Sequence, residues 1–118
     1  MKVHYLEIVT PDPDGLCQHY VASIGATFGE PVMELGGARV APMTDGGLLG
    51  IRAPLRDTEG PTVRPYFLVS DIDEALASAA STGGEIAMPS THIPSYGHFA
   101  ILIREGIETG LWQLEPEN

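Results

Sequence analysis

The chain has 118 residues, enough for one domain with a real core and too few for two independent ones. With 43% apolar and 19% charged residues and no apolar run approaching ~20 residues, it reads as neither disordered nor membrane-spanning. Sixteen Asp and Glu against six Lys and Arg give a net charge of −10, with the acids divided eight and eight between residues 1–59 and 60–118, a field that repels polyanions and argues against a nucleic-acid partner.

The opening MKVHYLEIV passes directly into a strand pattern with no apolar leader, which predicts a cytoplasmic protein. In this first strand Leu6 and Ile8 are the apolar pair that belongs under a helix, which turns Tyr5, Glu7 and Val9 to the other face. Asp12 follows as an N-cap, with Pro13 at the first helical position. Leu16, Tyr20 and Ile24 mark the buried stripe of the first helix, and Gly25 supplies its stop. Cys17, the lone cysteine, has no second thiol and is read as a small buried hydrophobe, while His19 and Tyr20 are read as packing.

Three short strand-like runs come next, at about 26–33, 37–43 and 47–52. The last of these puts Leu48 and Gly50 on the free face. Residues 53–61 are polar and fenced by prolines, and serve as a linker between two modules. The pattern then repeats. The segment from Glu7 to Asp14 aligns with that from Tyr66 to Asp73, and Asp12 with Asp71, Asp14 with Asp73 and Gly25 with Gly84 all lie 59 residues apart.

In the second copy Phe67 and Val69 belong under the helix, leaving Arg64, Tyr66 and Leu68 on the free face. Asp71 and Glu74 form a capping-box pattern, and Ile72, Leu76, Ala79 and Ala80 form the helix stripe. Strand-like runs at about 85–88, 97–104 and 110–115 close the chain. The last is expected to bury Trp112 and Leu114 and to turn Leu111, Gln113 and Glu115 to the free face. The reading is an α+β fold of two tandem βαβββ modules, at 1–52 and 62–118, forming one domain of eight strands whose free faces line a cleft.

That cleft is expected to gather Tyr5, Glu7, Arg64, Tyr66 and Gln113 among Leu48, Leu68 and Leu111. A carboxylate, a guanidinium and two phenols are costly to bury without partners or a ligand. The plain alternative is an internal Glu7–Arg64 ion pair without a catalytic role. His92 and His98 stand six residues apart, a spacing that matches no compact metal motif. No glycine-rich turn carries the residues of a phosphate loop, so nucleotide binding is not expected.

The stretches LEIVTPDPDGLCQHYVASIGATFGEP and YFLVSDIDEALASAASTGGEIAMP and the closing YGHFAILIREGIETGLWQL resemble the vicinal oxygen chelate superfamily, which contains glyoxalases, bleomycin-resistance proteins and extradiol dioxygenases. The likeness is to the glyoxalase-like branch, whose copies open on a W-x-E-L-x-T-x-D strand and end in G-L-W-Q, and it covers essentially the whole chain. It implies two βαβββ modules whose eight strands form an open, curved cleft, and a homodimer. It also implies, for the metal-dependent members, four ligands on strands one, four, five and eight.

Carried over, those metal positions fall on Tyr5, Gly50, Arg64 and Gln113, and only Gln113 suits a divalent ion. A one-residue shift would bring His4 to the first of them at the expense of turning Leu6 and Ile8 into the cleft. His98 falls where the resembling branch commonly has a basic residue at the cleft mouth. The expectation is therefore a protein without cofactor or metal that binds a small molecule, with no nucleic acid and no membrane. Glu7 and Tyr66 are the candidate catalytic groups, and Tyr5, Arg64, His98 and Gln113 the candidate ligand contacts. Two alternatives stand beside it: a divalent-metal lyase, isomerase or dioxygenase of glyoxalase type, and a non-enzymatic dimer that sequesters a cationic drug.

Overall fold

The computed structural model describes residues 1–116; Glu117 and Asn118, the end of the second expected module, lie outside the described residues. The chain divides into two compact units, Tyr5–Val63 (the N-terminal unit) and Met1–His4 with Arg64–Asn118 (the C-terminal unit). The fold is α+β, with seven strands among the described residues rather than the eight expected.

In the N-terminal unit β1 (Val3–Val9) runs parallel to β3 (Leu48–Arg52), and β2 (Arg39–Pro42) pairs antiparallel with β3. Helix α1 (Pro13–Ile24) covers one face. Its start follows the sequence: the Asp12 side chain accepts from the Gly15 N–H at 3.1 Å, and Pro13 needs no donor there. Gly25 ends it at φ 70°, a left-handed conformation in which a side chain is strained.

Cys17, Ala41, Leu49 and Ile51 form the core beneath α1, packed by Leu6, Ile8, Leu16 and Tyr20, as the alternation predicts. Ile24 departs from the predicted stripe: it is the last residue of α1 and is 68% exposed, while Cys17 is the buried residue of that helix. The strand expected at 26–33 is the one that fails to form. Gly29 bonds Val40 through its N–H at 3.0 Å, and Val32 makes an isolated bridge to Ala38, but Pro31 between them has no N–H for a ladder.

The C-terminal unit has strand order β4-β7-β6-β5. β4 (Thr62–Leu68) is parallel to β7 (Ile107–Gln113), and β7, β6 (Gly97–Arg104) and β5 (Glu85–Ile93) follow antiparallel. β5 is longer than the sequence indicated, and its pairing slips at bulges on either side of Met88, next to Pro89. Helix α2 (Ile72–Ser81) is capped by Asp71, which accepts from the Glu74 N–H at 3.1 Å. Ile72 and Leu76 pack on Ala100 and Leu111 to form this unit's core, with Val69, Ala75 and Leu102 around them. No helix of the described residues is long and apolar enough to cross a membrane.

Candidate functional site

In the N-terminal unit the face of β1 turned away from α1 carries Tyr5, Glu7 and Val9, all buried. Glu7 stands opposite Gly50 on β3. A Cβ at Gly50 would lie 1.8 Å from the Tyr5 phenol oxygen, so the missing side chain is what lets that ring lie across the strand. Glu7 Oε2 accepts from Arg52 Nε at 2.9 Å, and Arg52 Nη1 and Nη2 donate to the two oxygens of Glu59 at 2.9 and 2.8 Å. Burial works against the Arg52 charge, but its hydrogen bonds and charge interactions with Glu59 and Glu7 outweigh that and hold its pKa above the ordinary value.

Arg52 is a partner of Glu7 that the sequence reading does not name; it lies on the neighbouring parallel strand and needs only the local pairing of β1 with β3. In the C-terminal unit Arg64 donates from Nε to Glu108 Oε1 at 2.7 Å, and from Nη1 to the Tyr66 phenol oxygen at 3.4 Å.

Tyr66 stands opposite Gly110, where a Cβ would lie 2.1 Å from its ring. Its ring meets Trp112 edge-on, centroids 5.7 Å apart at 85°, and Phe99 at 6.2 Å and 67°, arrangements favoured by the ring quadrupoles. Trp112 donates from Nε1 to the Tyr96 carbonyl at 2.9 Å. His4 lies 5.4 Å from Trp112, and burial, with Lys2 nearby, lowers its pKa.

The last strand therefore shows the reverse of the predicted faces. Trp112 joins the aromatic cluster with Tyr66, while Leu111 sits under α2 with Ile72 and Leu76. Gln113 turns to α2 as well, its Oε1 accepting from the Ile72 N–H at 2.9 Å. Leu114, expected to be buried, is 48% exposed. Both faces of β7 are covered, so hydrophobic alternation alone could not say which was which.

His98 pairs with Gln113 across β6 and β7 and with His92 across β5 and β6, so it shares the α2 face with Ala100 rather than the face of Tyr66. The His92 and His98 rings lie 4.8 Å apart, and His92 Nε2 contacts Glu115 Oε1. Their spacing in sequence matches no compact motif; the β5–β6 pairing is what brings His92 to His98.

An open groove of about 520 Å³ lies at the carboxyl ends of the parallel strands β4 and β7, lined by Leu68, Val69, Ser70, Gln113, Leu114 and Pro116. Its volume and mostly apolar wall with two polar side chains fit a small organic ligand. Leu68 and Gln113 are the expected residues that line it; Val69, Ser70, Leu114 and Pro116 were not foreseen. The rule that ligands bind beyond the carboxyl ends of parallel strands is the signal that could have found them.

The donors do not suit a divalent ion at the four positions the resemblance implies. The Tyr5 phenol packs over Gly50, which has no ligand to offer. Arg64 is cationic and bound to Glu108, and the Gln113 oxygen is engaged by Ile72. Among the described residues no three His, Cys, Asp or Glu side chains are grouped to hold a metal ion.

The chain is 32% identical over 97 residues, 81% of its length, to "Putative glyoxylase CFP32" of Mycobacterium bovis and to the protein of the same name from Mycobacterium tuberculosis. It spans 37% of the length of these relatives. Among solved structures it matches methylmalonyl-CoA epimerase from Mycobacterium tuberculosis with a TM-score of 0.71 at 18% identity, covering 95% of this chain and 87% of that one. It also matches Streptomyces coelicolor methylmalonyl-CoA epimerase in complex with 2-nitronate-propionyl-CoA, TM-score 0.71 at 21% identity, covering 98% and 99% of the two chains. At such identities the structural likeness is one of fold. No family model matches the chain.

Proposed function

We propose that this chain, which belongs to the vicinal oxygen chelate superfamily, binds a small, partly apolar organic acid or carbonyl compound without a resident metal ion. The observation that carries the reading is the groove at the carboxyl ends of β4 and β7. Leu68, Val69, Leu114 and Pro116 would take the apolar part of the ligand. The Ser70 hydroxyl and the Gln113 carboxamide would take its oxygen, the latter through its NH₂ because its own oxygen is bonded to Ile72.

The ligand class agrees with what a solved neighbour holds, a nitronate-bearing propionyl thioester of coenzyme A. Tyr66 and Arg64 stand earlier on β4, outside the groove's lining, and would support the strand that carries Leu68, with Arg64 already ordered by Glu108. Glu7 is held by Arg52 in the other unit, so a role as proton acceptor would require that carboxylate to exchange its guanidinium partner. Tyr5 and His98 enter the reading as supports, Tyr5 over Gly50 and His98 against His92.

Two measurements on one preparation test the reading. Elemental analysis follows dialysis against nickel, zinc, iron and manganese in turn, and calorimetric titrations then use short-chain and aromatic carboxylic acids and their coenzyme A thioesters. The expected result is no stoichiometric metal and saturable binding of at least one acid, lost in Leu114→Arg, which fills the groove from an exposed position. One tightly held ion per chain, required for binding, would overturn the metal-free reading in favour of glyoxalase-type metal chemistry.

A further inference from the structure

In the N-terminal unit Arg52 is 6% exposed, yet its two terminal nitrogens lie side by side against one carboxylate, that of Glu59, at 2.9 and 2.8 Å. This fork is the geometry in which an arginine recognises any carboxylate. The guanidinium is fixed from behind: Nε is held by Glu7 on β1 at 2.9 Å, and its backbone lies in β3. Its stem passes Gly36, where a Cβ would lie 3.2 Å from Arg52 Cδ and where φ is +70°.

The carboxylate on the fork has a different footing. Glu59 belongs to the 53–61 loop, in which Ala53, Leu55, Arg56, Asp57, Thr58 and Gly60 are exposed. That loop is wound round its own glutamate, with the Leu55 N–H donating to Glu59 Oε1 at 2.7 Å and the Glu59 N–H donating to the Arg56 carbonyl at 3.1 Å. A guanidinium fixed by Glu7 and by the Ala53 carbonyl, to which Nη1 donates at 3.2 Å, thus meets a carboxylate whose side chain is 16% exposed and whose loop neighbours are exposed.

We propose that Arg52 is a receptor for the carboxylate of a small organic acid, and that Glu59 is an internal stand-in that covers it until such an acid takes its place. The exchange is non-covalent: one bidentate carboxylate replaces another on the same two nitrogens. A tethered carboxylate competes at an effective concentration on the order of millimolar or above, so a free acid binds with its intrinsic affinity reduced by the fraction of time that Glu59 is away. Arg52 shares no residue with the groove of the C-terminal unit, so the two sites can be tested apart.

The test is titration of the ¹⁵N-labelled chain with succinate and with propionate, following Arg52 Nε–H and the amides of Leu55 and Glu59. Glu59→Gln is expected to bind succinate at least about tenfold more tightly than the wild type, and Arg52→Met in that background to abolish the binding. In the wild type the Arg52, Leu55 and Glu59 signals are expected to move together as the loop leaves. Equal affinity of the wild type and Glu59→Gln would overturn the proposal. Should that variant not fold, the wild-type titration decides: no response at Arg52 up to the solubility limit, or a response that leaves Leu55 and Glu59 unmoved, makes Glu59 a fixed structural partner.

Discussion

In the N-terminal unit Glu7 stands opposite Gly50 on a parallel strand and reaches Arg52 two residues further on. In the C-terminal unit Tyr66 stands opposite Gly110 on a parallel strand and packs against Trp112, again two residues further on. One strand layout has been filled with an ion network in the first copy and with aromatic rings in the second. Each filling needs a glycine at the crossing, because a phenol ring lies where the Cβ would be. The rings meet their needs through area and edge-to-face contact, whereas the charges depend on every partner being kept.

Truncation of the aromatic centre should have the largest effect. Trp112→Ala removes a side chain that is 2% exposed and is expected to cost about 3–5 kcal/mol of stability, read from the urea midpoint. Arg52→Met comes next, at about 3 kcal/mol, because it leaves the Glu7 carboxylate buried beside an apolar side chain. Adding Glu7→Leu should recover much of that loss. A double variant no better than the single one would show that the network's worth lies elsewhere than in the Glu7–Arg52 contact.

The glycine substitutions sharpen the comparison. Gly110→Ala and Gly50→Ala should each cost about 1–3 kcal/mol by forcing a tyrosine ring aside. Near-ultraviolet circular dichroism should report the displaced ring in both, and an unchanged spectrum in either would mean that the ring is not held by that crossing.

The smallest expected effect is a pH dependence belonging to the aromatic side alone. Burial and Lys2 lower the His4 pKa in the folded state, so the unfolded chain takes up the proton first. Above the unfolded pKa of about 6.5 both states are neutral and His4 contributes nothing to the slope. As pH falls below that value, stability declines until the folded pKa is reached. His4→Gln should flatten this part of the stability–pH curve, and a slope unchanged between pH ~5 and ~7 would assign it to other groups.

Much of this was legible from the sequence where one physical signal dominated. The 59-residue repeat, the Asp12 and Asp71 caps, the Gly25 stop and the inward turn of Leu6 and Ile8 all follow from local rules, and the caps, stop and inward turn stand where those rules put them. The missing strand was legible in principle, since Pro31 and Gly29 are poor ladder residues. The face of β7 was not, because Leu111 and Trp112 are both buried and both apolar, and only the Tyr66–Gly110 crossing decides between them. The Glu7–Arg52 pair was hidden for a similar reason: it rests on the pairing of β1 with β3, which charge alone does not reveal.

The central claim is that the C-terminal unit binds a small organic acid without a metal ion, and Trp112, the sole tryptophan, adjoins the groove through Gln113 and reports on it. Its fluorescence should be titrated with the tightest-binding acid from the calorimetric panel, in the presence of a strong chelator and again with added nickel or zinc. The account predicts a saturable change, the same in both conditions and absent in Leu114→Arg. A change that appears only with added metal, or one that persists in Leu114→Arg, would contradict it.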